Sequence, residues 1–214
     1  MKESKIRYMK VKEKIDCALA GIGMVALSPV FGGIILAIKL EDGWKAPVFF
    51  CQKRVGIHKS HFQLYKFRSM KLDTPHDTPT HLLEDPEQYI TKVGKFLRKT
   101  SLDELPQLLN IAQGTMAVIG PRPALWNQYD LIAERDKYEA NNVKPGLTGW
   151  AQIHGRDELE ITDKAKADGY YVSNMGLWID IQCFFGTIWS VFRSDGVVEG
   201  GTGEMKREEK RKIR

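Results

Sequence analysis

The chain has 214 residues, a formal charge of +5 and a pI near 9.0, with 43% hydrophobic and 28% charged residues. This is enough for one domain with a real core, and the ordinary apolar fraction excludes global disorder. A basic balance points to an anionic partner, and three widely spaced cysteines without a CxxC motif exclude a disulfide framework or a zinc site.

The first predicted element is an apolar run, Ile15–Ile38, in which Asp16 is the only charge. Its 24 residues exceed the roughly 20 that a spanning helix needs. Ser28-Pro29 lies near its middle, and proline there removes a backbone donor and clashes with the preceding turn, so the helix must bend or break. Lys2, Lys5, Arg7, Lys10, Lys12 and Lys14 precede the run; Lys39, Lys45, Lys53 and Arg54 follow it. Basic flanks mark the cytoplasmic side of membrane segments. A helix–break–helix hairpin satisfies both flanks, whereas a single span leaves one on the wrong side. A buried core helix is the remaining alternative by apolarity alone.

After the run, Val48–Phe50 and Phe62–Phe67 read as short strands around a turn at Gly56. Leu72–Pro86 is a polar loop rich in Asp, Thr, Pro and His. Helical patterns follow at Pro86–Arg98 and Pro106–Gln113, then a short apolar piece, Met116–Ile119. Gly120-Pro121-Arg122-Pro123 is a rigid turn. Trp126–Ala140 reads as a charged helix, Lys144–Arg156 as a glycine-rich loop with a short piece at Trp150–Ile153, and Asp163–Val172 as a helix. Ile179–Phe192 is apolar and aromatic, suited either to the core or to a membrane interface. The tail from Gly200 is glycine-rich and then charged. There are no internal repeats, and the five histidines lack metal-ligand spacing.

The chemistry centres on Arg98-Lys99-Thr100-Ser101-Leu102-Asp103-Glu104-Leu105-Pro106. Pro106 is tolerated only in a first helical turn, so the two carboxylates sit at or before a helix start, where the dipole favours negative charge. An ionised aspartate beside Arg98 and Lys99 suits attack on phosphorus or hard-metal binding. The same residues also read as a helix cap: Ser101 and Glu104 have capping-box spacing and Asp103 suits an N-cap. Arg122, held between two prolines, and Lys66, in Lys66-Phe67-Arg68, are further phosphate-binding candidates. No nucleic-acid recognition motif accompanies the basic charge.

In order, the hairpin with Ser-Pro at its break, PVFFCQKRVG, KFRSM, VGKFLRKTSLDELPQLLN, GPRP and KPGLTGWAQIHGR resemble the bacterial sugar transferases, the monotopic phosphoglycosyl transferases, in their short form. The resemblance covers Lys12 to Val198. It implies an α-rich α+β fold, with an N-terminal re-entrant membrane helix hairpin and a compact cytoplasmic catalytic domain carrying amphipathic interfacial helices and short strands. The implied organisation is hairpin 1–40, catalytic domain 41–198 and charged tail 199–214. The implied location is the bacterial inner membrane, with the catalytic domain on the cytoplasmic face. The implied reaction moves a sugar 1-phosphate from a UDP-sugar to undecaprenyl phosphate and releases UMP, through a covalent aspartyl–phosphosugar intermediate. Carried onto this sequence, Asp103 is the nucleophile and Glu104 its partner, Mg²⁺ is the cofactor held by both, and Lys66, Arg98, Arg122 and Asp168 contact substrate. Gly114-Thr115-Met116-Ala117, His154 and Ile161 depart from the family pattern, at positions that bear on sugar preference. The competing reading is a non-catalytic membrane scaffold of a glycan-assembly complex, in which the carboxylates only cap a helix.

The hairpin predicts that, in a cysteine-free background, single cysteines placed near Met1 and near Arg214 label from the same face of sealed vesicles. Labelling from opposite faces would replace the hairpin with a span.

Overall fold

The computed structural model describes residues 3–74, 86–155 and 159–193, without the side chains of Pro86 and of residues 191–193. Most of the Leu72–Pro86 loop, Arg156 and the expected charged tail lie outside the described residues. Helices dominate: α1 (Glu3–Ala26), α2 (Ser28–Asp42), α3 (Lys92–Thr100), α4 (Gln107–Ala112), α5 (Tyr129–Asp136), α6 (Trp150–Ile153), α7 (Ile161–Asn174) and α8 (Leu177–Arg193). β1 (Phe49–Val55) and β2 (His61–Phe67) form an antiparallel hairpin, and β3 (Ala117–Ile119) and β4 (Gly146–Thr148) pair in parallel.

The expected break is present. α1 and α2 meet at a 61° bend around Leu27. Pro29 has no N–H to give to the Val25 carbonyl four residues back; the Ser28 hydroxyl donates to that carbonyl instead, at 2.8 Å. Neither helix alone is long and apolar enough to cross a membrane; the two together have that length and apolar composition, across the bend. α1 begins at Glu3, well before the apolar run. Asp16 is also not an unpaired charge in that run: it is buried, pairs with Lys12 at 2.9 Å and accepts the Val118 N–H at 3.0 Å. Lys12 and Tyr8 reach Asp180 of α8 at 3.2 and 2.8 Å, and Tyr171 of α7 donates to the other Asp180 oxygen at 2.9 Å. One face of α1 is thereby pinned to the body, while Ile15, Leu19, Ile22 and Val25 stay exposed.

The core has several centres. Ala20, Leu64, Ile111 and Met116 join α1 to α4 and the hairpin; Ile34 and Ile38 of α2 pack on Phe67 and Leu97. Tyr171, Val172, Ile179 and Cys183 join α7 to α8. α8 has a buried side and an exposed side, so the core reading holds for one of them. Ile179 and Cys183 are buried, whereas Trp178, Phe185 and Trp189 are exposed on the other side.

Two expected helices are shorter. Pro86–Arg98 divides into a 3-10 turn, Pro86–Tyr89, and α3, because Ile90 bridges to Met70 and the Thr91 hydroxyl caps α3 by accepting from Gly94 N at 2.9 Å. A Cβ at position 94 would collide with the Ser69 carbonyl, so only glycine lets α3 lie so close to the chain leaving β2. The start of Trp126–Ala140 is a turn in which Gln128 Oε1 accepts the Leu125 N–H.

Asn110 docks α4 on the free edge of β2. Its side chain, almost fully buried, accepts from Tyr65 N at 3.0 Å and donates to Gln63 O at 2.7 Å. Asn110→Leu is expected to destabilise the protein by about 2 kcal/mol, since each buried group left unpaired costs ~1–3 kcal/mol and these bonds are only partly buried. Denaturant unfolding in detergent measures it.

Candidate active site

α3 ends at Ser101, whose left-handed backbone (φ 57°) reverses the chain into the 3-10 turn Leu102–Glu104. Leu102 and Leu105 pack into the cluster with Ile34, Ile38, Phe67 and Leu97. The apolar flanks thus anchor the turn, and the carboxylates of Asp103 and Glu104 meet cations from elsewhere.

Glu104 is gripped from two sides. Lys66 Nζ, from β2, lies 2.8 Å from Oε1, and Arg122 Nη2 lies 2.7 Å from the same oxygen. Arg122 Nη1 lies 3.4 Å from Oε2. Burial raises the cost of the Glu104 charge, but Arg122 and Lys66 outweigh it and hold the carboxyl well below its usual range. Asp103 is only 7% exposed, and its contact with Lys66 is looser, at 3.8 Å. Burial pushes its carboxyl above the usual range, and Glu104 adds to the rise; Lys66, Arg98 and Arg122 oppose it without prevailing. The two adjacent carboxyls are therefore shifted in opposite directions, Glu104 downward by its cations and Asp103 upward by burial.

The capping reading does not hold. Neither Ser101 nor Pro106 makes a side-chain cap hydrogen bond, and the carboxylates point to Lys66 and Arg122 rather than to backbone N–H groups. The expected dipole contribution is also small. α4 is six residues long, and the positive field comes from side chains.

Arg122 sits in a turn whose four successive carbonyls are held from three parts of the chain, β1, α5 and β4. Gly146 N donates to Pro121 O at 2.9 Å, Arg135 Nη2 to Arg122 O at 2.9 Å, Arg54 Nη1 to Pro123 O at 3.0 Å, and Val55 N to Ala124 O at 2.9 Å. This fixes the Arg122 backbone, while the side chain remains 38% exposed. Arg98, half-buried on the last turn of α3, acts on Asp103 through its charge.

Asp168 is placed differently from the expectation. It lies on α7, 1% exposed, and Arg135 takes its Oδ2 through Nε and Nη2 at 2.8 and 2.6 Å. It is sealed from solvent and, among the described residues, reaches the cluster through Arg135. Arg135, Asn110 and Arg54 were not among the expected site residues. Arg135 stands in a run of charges that reads as a solvated helix face, and nothing in that run marks it as buried. Of the departures from the family pattern, Thr115 bonds to the Asn110 carbonyl at 3.0 Å, His154 stacks on Trp150 at 4.2 Å, and Ile161 is exposed at the start of α7.

A family profile described as bacterial sugar transferase matches residues 7–194. The chain belongs to the bacterial sugar transferase family. Over 189 residues it is 38% identical to an uncharacterised sugar transferase, EpsL, of Bacillus subtilis (strain 168), covering 88% of this chain and 91% of that protein. Over 190 residues it is 39% identical to the UDP-glucose:undecaprenyl-phosphate glucose-1-phosphate transferase of Escherichia coli (strain K12), covering 85% of this chain and 40% of that protein. Over 195 residues it is 36% identical to the UDP-N-acetylgalactosamine-undecaprenyl-phosphate N-acetylgalactosaminephosphotransferase of Aeromonas hydrophila, with coverage of 88% and 45%. The chain thus spans less than half the length of these last two transferases.

For a metal, the transferase offers a limited donor set. No group of three or more His, Cys, Asp or Glu side chains converges among the described residues. Glu104 is already engaged by Arg122 and Lys66, which leaves Asp103 as the less engaged carboxylate. This fits magnesium, which commonly takes one or two carboxylates and completes its shell with water and substrate phosphates.

The two carboxylates predict opposite stability effects. Asp103 holds its proton more tightly folded than unfolded, so its contribution is present below the unfolded value, about 3.9, and is lost as pH rises through the folded value. Asp103→Asn should therefore raise the melting temperature at pH 7. Glu104 is depressed, so its contribution is present above about 4.3 and is lost as pH falls through the folded value. Glu104→Gln should lower the melting temperature at pH 7, with the deficit shrinking in acid. Thermal unfolding across pH measures both.

Proposed function

We propose that this transferase moves a sugar 1-phosphate from a UDP-sugar onto undecaprenyl phosphate at a membrane surface, releasing UMP, with Asp103 as the covalent nucleophile. The observation that carries this reading is the unequal treatment of the paired carboxylates. Glu104 is locked between Lys66 and Arg122, while Asp103 beside it has a looser ion pair with Lys66 in a cationic, largely desolvated setting. The first two relatives with a stated activity, which name UDP-sugars and undecaprenyl phosphate, support the substrate class.

An Asp103 carboxylate oxygen attacks the phosphorus that bears the sugar. The bond from that phosphorus to the bridging oxygen breaks, and UMP leaves with the electron pair. An oxygen of the lipid phosphate then attacks the same phosphorus and frees the Asp103 carboxylate. One difficult exchange between two polyanions becomes two easier ones. Arg122 and Arg98 collect the diphosphate, and Lys66 keeps Glu104 charged beside it. Of the two carboxylates expected to bind metal, the less engaged Asp103 would hold a magnesium ion brought with the diphosphate, with the Glu104 charge beside it, and the ion would supply charge neutralisation at phosphorus.

The membrane location rests on exposed apolar side chains. Ile22 and Val25 approach the bend from α1, and Leu36 and Leu40 extend along α2. Leu177, Trp178, Phe185 and Trp189 line the outer side of α8, and Trp44 follows α2, in keeping with the aromatic preference for interfaces. The bent pair is read as re-entrant, entering and leaving on the cytoplasmic face of the inner membrane. The polyprenyl chain then remains in the bilayer while its phosphate meets Asp103. The scaffold reading is disfavoured because Asp103 and Glu104 make no cap.

The test is UMP release from a panel of UDP-sugars, with undecaprenyl phosphate and Mg²⁺. Asp103→Asn should lose on the order of 10³-fold or more in rate. Without lipid acceptor, donor labelled in the sugar-bearing phosphate should label wild-type protein but not Asp103→Asn. Turnover without such labelling would remove the covalent step, and no UMP from any sugar would remove the reaction.

A further inference from the structure

We propose that Asp168 and Arg135 are a positioning pair whose task is to hold the Arg122 backbone, and through it the reach of Arg122 to Glu104. The inference rests on the proposed reaction for its activity readout, but its geometry stands apart from it.

Arg135 is 4% exposed and Asp168 1%. The guanidinium spends Nε and Nη2 on one Asp168 oxygen and turns Nη2 also to the Arg122 carbonyl, at 2.9 Å. The three residues come from α7, α5 and the Gly120–Pro123 turn. Gly169 lies against Tyr138, so closely that a Cβ there would fall 2.5 Å from the Tyr138 Cβ, and α7 is thereby seated on the chain leaving α5. From Arg122 the side chain continues to Glu104, and Lys66 joins Glu104 to Asp103. A continuous polar path thus runs from a sealed ion pair to the carboxylate that is proposed to react.

Stability alone is a weak reason for such a pair. Desolvating two charges is costly, and apolar groups of similar size commonly replace buried ion pairs without loss. What apolar groups cannot do is donate to the Arg122 carbonyl. Lysine at position 135 could meet Asp168, but its point charge lacks the planar fork that serves the carboxylate and the carbonyl together. The same geometry explains why Asp168, sealed from solvent, makes no direct contact with the site.

The experiment replaces the pair by apolar groups, Asp168→Leu with Arg135→Met, and compares it with Arg135→Lys, Arg122→Met and the combination of Arg122→Met with the apolar pair. The melting temperature of the apolar pair variant should stay within a few degrees of wild type. Phenylglyoxal modification of Arg122, mapped by mass spectrometry without substrate, should speed about fivefold or more. UMP release should fall about tenfold or more, with Arg135→Lys intermediate. In the Arg122→Met background the apolar pair should cost less than twofold further, because its effect passes through Arg122. Unchanged Arg122 reactivity, or losses that multiply across the two backgrounds, would overturn the proposal. If the apolar pair does not fold, Arg135→Lys alone decides: unchanged Arg122 reactivity in that folded variant overturns it, and faster reactivity supports it. A wild type that releases no UMP would remove the proposed reaction, while the phenylglyoxal result would still decide the role of the pair.

Discussion

The Glu104 carboxylate held between Lys66 and Arg122 is the constraint around which the site is arranged. Lys66 comes from a strand, Arg122 from a proline-bounded turn and Glu104 from a 3-10 turn after α3. Three segments distant in sequence converge on one carboxyl group, so each must be placed independently and accurately. The convergence also sets the character of Asp103. Two cations are already shared with its neighbour, and burial then governs its protonation. An aspartate shifted upward next to a glutamate shifted downward is a product of this unequal division of charge.

Each arm of the cluster has its own support. Asn110 fastens α4 to the edge of β2, which sets the height of Lys66 relative to the turn bearing Glu104. The Arg122 turn is held by four carbonyl bonds from three parts of the chain, and the close approach of Gly120 to Gly146 lets β3 and β4 carry it. Rigid backbone with a partly exposed guanidinium is the combination that phosphate recognition needs, since the charge is oriented before the ligand arrives.

The bent helix pair is joined to the same site. Glu41, at the end of α2, accepts the Lys92 and Val93 N–H groups at 2.7 and 2.9 Å and so caps α3 from outside. Asp42 pairs with buried Arg68 at 2.7 Å. Ile34 and Ile38 pack with Leu102 and Leu105, which flank the two carboxylates. The α2 helix is therefore joined to α3, to the chain leaving β2 and to the turn bearing Asp103 and Glu104 through a cap, an ion pair and an apolar contact.

The sequence by itself determined the features that depend on local chemistry. Pro29 must break a helix because it lacks a donor, Gly56 turns a hairpin, and Pro121 and Pro123 stiffen the Arg122 turn. The order of motifs was sufficient to identify the family. The surroundings of Asp103 and Glu104 were not local: their spacing suited a cap as well as a site, and only the arrival of Lys66 and Arg122 set the cap aside. Arg135 looked like a surface charge among Glu134, Asp136 and Lys137, and Asp168 looked like a substrate contact. Their burial against each other follows from how α5 meets α7, which no local pattern encodes. Tertiary structure decided these cases because the state of a charged group depends on the solvent it loses and the partners it gains, and both are set by segments far away in the chain.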